Sequence, residues 1–153
     1  MNKLIEFYLH NGTDDYGRSL KDMWTWDHFQ LEKVHDYIQW MFPTATPSQY
    51  NHNAPLVDAE TIEVFKNSSE LQSYLITSSF IFERFLDLDN PNAHWLTNKN
   101  HNFLRITRVI ESLMVLNCRP RAHQFYGRVE KAYLKNEICP ISYWSNMMLT
   151  HRI

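Results

Sequence analysis

The chain has 153 residues, of which 44% are hydrophobic and 14% aromatic, and it contains only 3 glycines. This length and composition suit one folded domain, residues 1–153, with a substantial core, and they exclude a disordered or low-complexity chain. Cys118 and Cys139 form no CxxC motif and no paired framework, which favours a reduced, cytoplasmic setting. No stretch has the length and apolar character of a signal peptide or a transmembrane span, so we expect a soluble protein.

The net charge of −2 is distributed unevenly. Residues 1–98 contain 6 Lys and Arg against 14 Asp and Glu, whereas residues 99–153 contain 9 against 3. Such asymmetry can mark an anion-binding surface, or it can be neutralised when the two parts fold against each other. The second interpretation is favoured in a domain of this size. Nucleic-acid binding by the basic 99–135 segment is therefore an alternative and not our leading hypothesis.

Apolar periodicity predicts helices along most of the chain, and no stretch alternates like a strand. Ser19 with Asp22 and Ser69 with Gln72 fit capping boxes, and Asp58 fits an N-cap. We expect an all-α fold, an orthogonal or irregular single-domain bundle of about six to eight helices. In chain order the predicted helices cover residues 2–10, 19–24, 26–43, 58–65, 69–88, 100–116, 121–135 and 140–149, with Asn98 or Asn100 as the cap of the sixth.

The segment 26–43, WDHFQLEKVHDYIQWMFP, is predicted to be the central helix, ended by Pro43. It has apolar residues on two sides, so it should be covered on two sides. One apolar arc contains Leu31, Val34, Ile38, Met41 and Phe42, and the other contains Trp26, Phe29, Tyr37 and Trp40. A polar seam between them contains His28, Glu32, His35 and Gln39, with Asp36 at its edge.

This polar seam suggests a metal-dependent hydrolase as an alternative function. Glu32-x-x-His35 has the spacing of di-iron carboxylate bundles, but the second Glu-x-x-His that such a site needs is missing. His35-Asp36 is also an HD dipeptide, a weak signal of metal-dependent phosphohydrolases. The competing interpretation is structural, with His35 packed at the edge of the core and Glu32 or Asp36 paired with a cation. We favour it and predict no metal or other cofactor.

Nucleophile and phosphate-binding motifs are missing: there is no Gly-x-Ser-x-Gly, no Walker loop and no Rossmann loop. This favours a non-enzymatic protein over an enzyme.

A basic seam follows on the helix after Asn100, where His101, Arg105, Arg108 and Ser112 are spaced four, three and four residues apart. Two guanidinium groups one turn apart can grip a carboxylate or a phosphate bidentately. They can equally pair with acids of the first half of the chain, such as Glu32 or Asp36, or form a solvent-facing stripe. The sequence leaves all three interpretations open.

Several blocks of this sequence, in the right order over nearly the whole chain, resemble the N-terminal conserved domain of the opioid growth factor receptor family. Residues 31–43, LEKVHDYIQWMFP, are most similar to it, with Met41 in place of the usual leucine. The supporting matches are Phe7-Tyr8 with Asn11, Asn53-Ala54-Pro55-Leu56, residues 101–108 with Ser112-Leu113, and Phe125-Tyr126. The resemblance implies a minimal version of the family, such as a bacterial one, without the repeat-rich extension of larger members.

The family resemblance implies a receptor-like binding module. Animal members are named for binding a short enkephalin-type peptide and are associated with nuclear and membrane-adjacent locations. We therefore expect a peptide or small anionic ligand, peripheral membrane association at most, and a pocket near the loop 44–58, where the two seams approach. The expected ligand-binding residues are Glu32, His35, Asp36, Gln39, Trp40, Asn53, Arg105 and Arg108.

Overall fold

The computed structural model describes residues 2–48, 51–96 and 101–135, and every regular element within these ranges is an α-helix. The predicted all-α bundle is confirmed. The described residues form eight helices: α1 (Lys3–Tyr8), α2 (Leu20–Trp24), α3 (His28–Lys33), α4 (Ile38–Met41), α5 (Ala59–Lys66), α6 (Ser69–Leu86), α7 (Asn102–Val115) and α8 (Arg119–Lys135).

Two of the predicted helix starts have the expected chemistry. Ser19 and Asp22 form the capping box of α2, and the Asp58 carboxylate caps α5. The start of α6 differs by one residue, because Ser68, and not Ser69, has the extended backbone and the hydroxyl that accepts a helix amide. Local side-chain hydrogen bonds therefore define these starts to within one residue.

The predicted caps of α7 are untested, and the start of α8 differs from the prediction. The expected caps of α7, Asn98 and Asn100, lie outside the described residues, and so does the helix predicted over 140–149. We placed the start of α8 after Pro120, but α8 begins at Arg119 and contains Pro120 in its first turn. Proline is tolerated there because the first amides of a helix have no intrahelical acceptor.

The core forms where α7 packs against α8, α6 and α4, while α1 and α5 pack on α6. Trp95 anchors the segment that follows α6. Its ring is fully buried, its Nε1–H donates to the Leu86 carbonyl, and its centroid lies 5.2 Å from that of Tyr133. None of the described helices combines the length and the hydropathy needed to cross a membrane.

The prediction of one continuous helix over 26–43 is corrected by the structure. The α3 helix ends at Lys33, Val34 is extended with φ −80° and ψ 127°, and α4 begins at Ile38. No proline or glycine lies between these two helices. The interruption therefore has a cause outside the local sequence.

The contact from outside this segment is that of Arg105 on α7, whose guanidinium enters the gap. It donates to the main-chain carbonyls of Leu31 at 2.7 Å, Val34 at 2.9 Å and Glu32 at 3.4 Å. In a continuous helix these carbonyls would accept the amides of residues 35, 36 and 38. Here the donor to these carbonyls is the side chain of Arg105, which is distant in sequence, and not a main-chain amide.

The interrupted segment is nevertheless covered on two sides, as predicted. Tyr37 is fully buried and Trp40 is 3% exposed. The Trp40 ring packs edge to face on Phe7, with 5.3 Å between centroids. Phe29 is the exception: we placed it on an apolar arc, but it is 67% exposed.

Candidate functional site

A cleft of about 660 Å³ lies between the α3–α4 break, α4, the loop after α4 and α7. It is where we predicted that the two polar seams would meet beside the loop 44–58. The first wall contains His35, Ile38 and Gln39, and the loop contributes Thr46, Pro47 and Ser48. The opposite wall contains His101, Leu104, Arg105, Thr107, Arg108 and Glu111.

Arg105 is at the base of this cleft and is only 5% exposed. Besides the three carbonyls, Nη2 lies 3.2 Å from His35 Nδ1, and Nη1 donates to the Asn102 side chain at 3.3 Å. Since arginine is always a donor, His35 Nδ1 accepts, and the neutral ring carries its proton on Nε2. The Tyr37 ring, 5.4 Å from the guanidinium carbon, covers Arg105 on the core side. Both terminal nitrogens of Arg105 are thus already engaged by the protein.

Glu32, on α3, is at the centre of a cluster of polar side chains that come from other parts of the chain. Its carboxylate lies 2.9 Å from His101 Nε2, 3.4 Å from His94 Nε2 and 3.9 Å from Arg105, and it accepts from Asn102 at 3.1 Å. Burial alone would raise the pKa of Glu32, but the Asn102 hydrogen bond and the neighbouring cations outweigh it and lower this pKa. Glu32 therefore neutralises Arg105 and is not among the residues that line the cleft.

Arg108, one turn further along α7, is in a different state. It is half-buried, and its Nε has no hydrogen-bond partner among the residues that the structure describes. Burial lowers the pKa of Arg108 because it disfavours the charged form, and the Glu111 carboxylate opposes this. Glu111 itself accepts from the Thr46 hydroxyl at 2.8 Å. Arg108 is a cation positioned in the cleft with unused hydrogen-bonding capacity.

Gln39, on α4, contributes a hydrogen-bond acceptor, whereas Arg108 contributes a donor. Its side chain is 5% exposed, and its Nε2 lies 3.4 Å from the Ser48 hydroxyl. Its buried Oε1 has no hydrogen-bond partner within the described ranges. Buried polar atoms are nearly always paired in folded proteins, so this oxygen at the cleft is an acceptor for a donor from water or from a ligand.

The structure places the other predicted site residues elsewhere. Asp36 pairs with Arg18 at 2.9 Å, Trp40 belongs to the core, and Asn53 is exposed in the loop. Of the eight predicted residues, the cleft brings together His35, Gln39, Arg105 and Arg108.

The residues of the hydrolase alternative are separated in the same way. His28 packs against Phe85, with 5.8 Å between ring centroids, whereas Asp36 is held by Arg18. Among residues 2–48, 51–96 and 101–135, no group of three or more His, Cys, Asp or Glu side chains is placed to hold a metal ion. The hydrolase alternative gains no support.

Several basic residues of the 99–135 segment pair with acids of the first half of the chain. Arg121 lies 3.0 Å and Arg128 3.2 Å from the Glu83 carboxylate, and Arg105 lies 3.9 Å from Glu32. This pairing follows the interpretation that the two parts neutralise each other. It also leaves fewer cations for a nucleic-acid surface, whose affinity would depend on phosphate contacts.

Sequence reasoning did not include Thr46, Leu104 and Glu111 in the site, although all three line the cleft. Glu111 could have been predicted from its spacing, because a residue three positions after Arg108 lies on the same helix face. No sequence pattern places Leu104 or Thr46 in the site. Leu104 belongs to the apolar residues of α7 but is 57% exposed, and Thr46 lies in a loop without periodicity.

Comparison with protein families matches residues 6–141 to the opioid growth factor receptor conserved region. The chain belongs to the opioid growth factor receptor family. This confirms the resemblance seen in the sequence. The match includes all the described residues that line the cleft.

Individual members of the opioid growth factor receptor family are similar over the same region. The mouse opioid growth factor receptor is 33% identical over 125 residues, covering 72% of this chain and 18% of its own length. The human receptor is 34% identical over 124 residues, covering 69% and 17%. Mouse opioid growth factor receptor-like protein 1 is 31% identical over 112 residues, covering 64% and 24%. The chain thus spans less than a quarter of the length of these relatives. No solved structure matches it.

Proposed function

We propose that this chain is a non-enzymatic helical binding module whose cleft holds a peptide or another small anionic ligand. The observation that supports this most directly is Arg108, a half-buried cation that lines a cleft of about 660 Å³ and whose buried Nε has no partner among the described residues. A guanidinium group binds carboxylates through charge-assisted and often bidentate hydrogen bonds. A cleft of this volume is in the range of small-molecule and peptide side-chain sites.

The residues around Arg108 have distinct roles in this proposal. Arg108 is the anion contact, while His35 and Gln39 supply hydrogen-bonding groups on the opposite wall. Arg105 is a positioning residue, because its terminal nitrogens hold the α3–α4 break and thereby place His35 and Gln39. Asp36, Trp40, Asn53 and Glu32 lie outside the cleft lining and are not used.

The family supports a receptor-like role, and this support comes from its name. The mouse and human relatives are called opioid growth factor receptors, and this chain covers only 18% and 17% of their lengths. Receptor activity in this chain is therefore part of the proposal. We also infer a cytoplasmic location from its two isolated cysteines, and peripheral membrane association from the family resemblance alone.

The experiment is a calorimetric titration of the whole chain with a short enkephalin-type peptide bearing a free carboxyl terminus. The Arg108→Met variant should bind at least about tenfold more weakly, since a hydrogen-bonded charge is worth roughly 1.5–3 kcal/mol. Arg119→Met is the matched control, because Arg119 is an exposed arginine outside the cleft lining. Binding that Arg108→Met and Arg119→Met retain equally would refute the assignment, and so would the absence of any binding.

A further inference from the structure

Two buried atoms of cleft residues, an acceptor and a donor, have no partner among the described residues and restrict what the ligand can be. Gln39 Oε1 can only accept a hydrogen bond, and Arg108 Nε can only donate one. Each would be costly to leave unpaired in the bound state, by roughly 1–3 kcal/mol. A ligand that satisfies both carries an acceptor for Arg108 and a separate N–H or O–H donor for Gln39. A simple anion such as a sulfate supplies only the first.

The charges that line the cleft favour a ligand with a single negative charge. Arg105 is neutralised by Glu32 and engaged by main-chain carbonyls, which leaves Arg108 as the guanidinium with unused capacity. Glu111 follows Arg108 by three residues on α7 and also lines the cleft. The Glu111 carboxylate repels a phosphate dianion more strongly than a ligand with one negative charge. A carboxylate carries one charge and matches one guanidinium.

The remaining lining is apolar. Leu104 is 57% exposed although it belongs to the apolar residues of α7, and Ile38 and Pro47 line the same cleft. Exposed aliphatic surface beside a charged anchor suits an apolar side chain attached close to the carboxylate.

These three features occur together in the last residue of a peptide. We propose that the cleft recognises the free carboxyl-terminal residue of a peptide with an apolar side chain, a refinement that rests on the proposed function. The terminal carboxylate binds Arg108, the amide N–H of the same residue donates to Gln39 Oε1, and the side chain packs on Leu104. A free apolar amino acid has the same carboxylate and side chain, and its ammonium group is also a donor for Gln39 Oε1, so free leucine is the competing ligand in the test.

The test is a set of titrations of the whole chain with five probes: acetyl-alanyl-leucine, its carboxamide, its analogue methylated on the leucine nitrogen, free leucine, and inorganic phosphate. We expect acetyl-alanyl-leucine to bind best. The carboxamide and the N-methyl analogue should each bind about tenfold more weakly, and phosphate should not compete. Leucine binding as tightly as acetyl-alanyl-leucine would overturn the peptide assignment in favour of an amino-acid site.

Two variants assign these losses to residues. In Arg108→Met the difference between the acid and the carboxamide should disappear. In Gln39→Met, which keeps the length of the side chain without its acceptor, the N-methyl penalty should disappear while the carboxamide penalty remains. An N-methyl penalty that is unchanged in Gln39→Met would overturn the proposed donor contact.

The outcomes separate this inference from the proposed function. Phosphate binding that depends on Arg108 and matches the peptide in strength would overturn the inference and leave an anion-binding module. Failure of every probe to bind in an Arg108-dependent manner would overturn both. Arg119→Met is again the control for general charge effects.

Discussion

Arg105 donates to the main-chain carbonyl of Leu31 at 2.7 Å although 74 residues separate the two in sequence. The last carbonyls of a helix have no intrahelical donors and normally bind water, a following glycine turn or a nearby cation. Here a single guanidinium serves the end of α3 and also the Val34 carbonyl beyond it. Arg105 is thus a C-terminal cap supplied by another helix, and it links the α3–α4 break to α7.

The first prediction follows from this cap. Arg105→Met should lower the free energy of unfolding by about 3 kcal/mol or more, because the carbonyls lose a buried charged donor and Glu32 loses a neighbouring cation. Urea denaturation followed by circular dichroism measures this. Arg105→Lys should rescue little, since one ammonium cannot reproduce the planar fork. A loss within about 0.5 kcal/mol, the range of ordinary surface substitutions, would show that the cap is dispensable.

The second prediction concerns Arg108, which lies one turn after Arg105 on α7. Arg108→Met should change the free energy of unfolding by less than about 1 kcal/mol, because Arg108 has no ion pair within the described ranges and its buried Nε is unpaired. The same denaturation experiment checks it. The two substitutions therefore form a matched pair on one helix, one expected to act on stability and the other on binding. A large stability loss in Arg108→Met would mean that Arg108 is also structural.

The helices that local signals specify could be predicted from the sequence. The α2 and α5 helices have side-chain caps within three residues of their start, and the buried face of α7 follows a regular 3.6-residue period. The break between α3 and α4 could not be predicted in this way. Its donor is Arg105, and periodicity in 26–43 contains no information about a side chain on another helix.

The candidate site was likewise predictable from the sequence only in part. The spacing of the two seams predicts one site that includes His35, Gln39, Arg105 and Arg108, and these four residues line one cleft. It could not distinguish Arg105 from Arg108, because both arginines lie on the same helix face. Only the contacts show that Arg105 is engaged by carbonyls, while Arg108 has a nitrogen without a partner among the residues that the structure describes.

The third prediction is a pH dependence that involves His101. Burial lowers the pKa of His101 below its ordinary value of 6.5, with Glu32 opposing this effect and Arg105 and His35 adding to it. The unfolded chain therefore takes up the His101 proton at a higher pH than the folded chain. Stability should fall as the pH drops through about 6.5, and Glu32, whose pKa is lowered from 4.5, should add a further loss at lower pH.

The measurement compares the wild-type chain with His101→Gln by urea denaturation at about pH 7 and about pH 5. The variant should lose less stability over this interval, because it lacks one group that the unfolded state protonates more readily. The pKa of His10 is also lowered by burial, but His10 is present in both chains and its contribution cancels in the comparison. An equal or steeper loss in His101→Gln would contradict the assignment.

The fourth prediction concerns the reactivity of Cys118. The thiol is 3% exposed, and burial raises its pKa from 9.0 to about 11. At mildly alkaline pH its thiolate fraction should be roughly 100-fold below that of a free cysteine with the unshifted pKa. In a Cys139→Ser chain, which keeps Cys118 as its single thiol, a disulfide-exchange reagent should label the native protein slowly and the urea-unfolded protein rapidly. Equal rates would show that Cys118 is accessible in the folded state.

The last prediction concerns Ser112, the final residue of the basic seam. Its side chain is fully buried on α7, its Oγ has no hydrogen-bond partner among the described residues, and it is not among those lining the cleft. A buried hydroxyl without a partner costs roughly 1–3 kcal/mol, and alanine is the better helix former. Ser112→Ala should therefore raise the thermal midpoint or leave it unchanged, with Ser73→Ala, at an exposed position of α6, as the surface control. A clear destabilisation would mean that the hydroxyl is paired in solution, for example by a buried water.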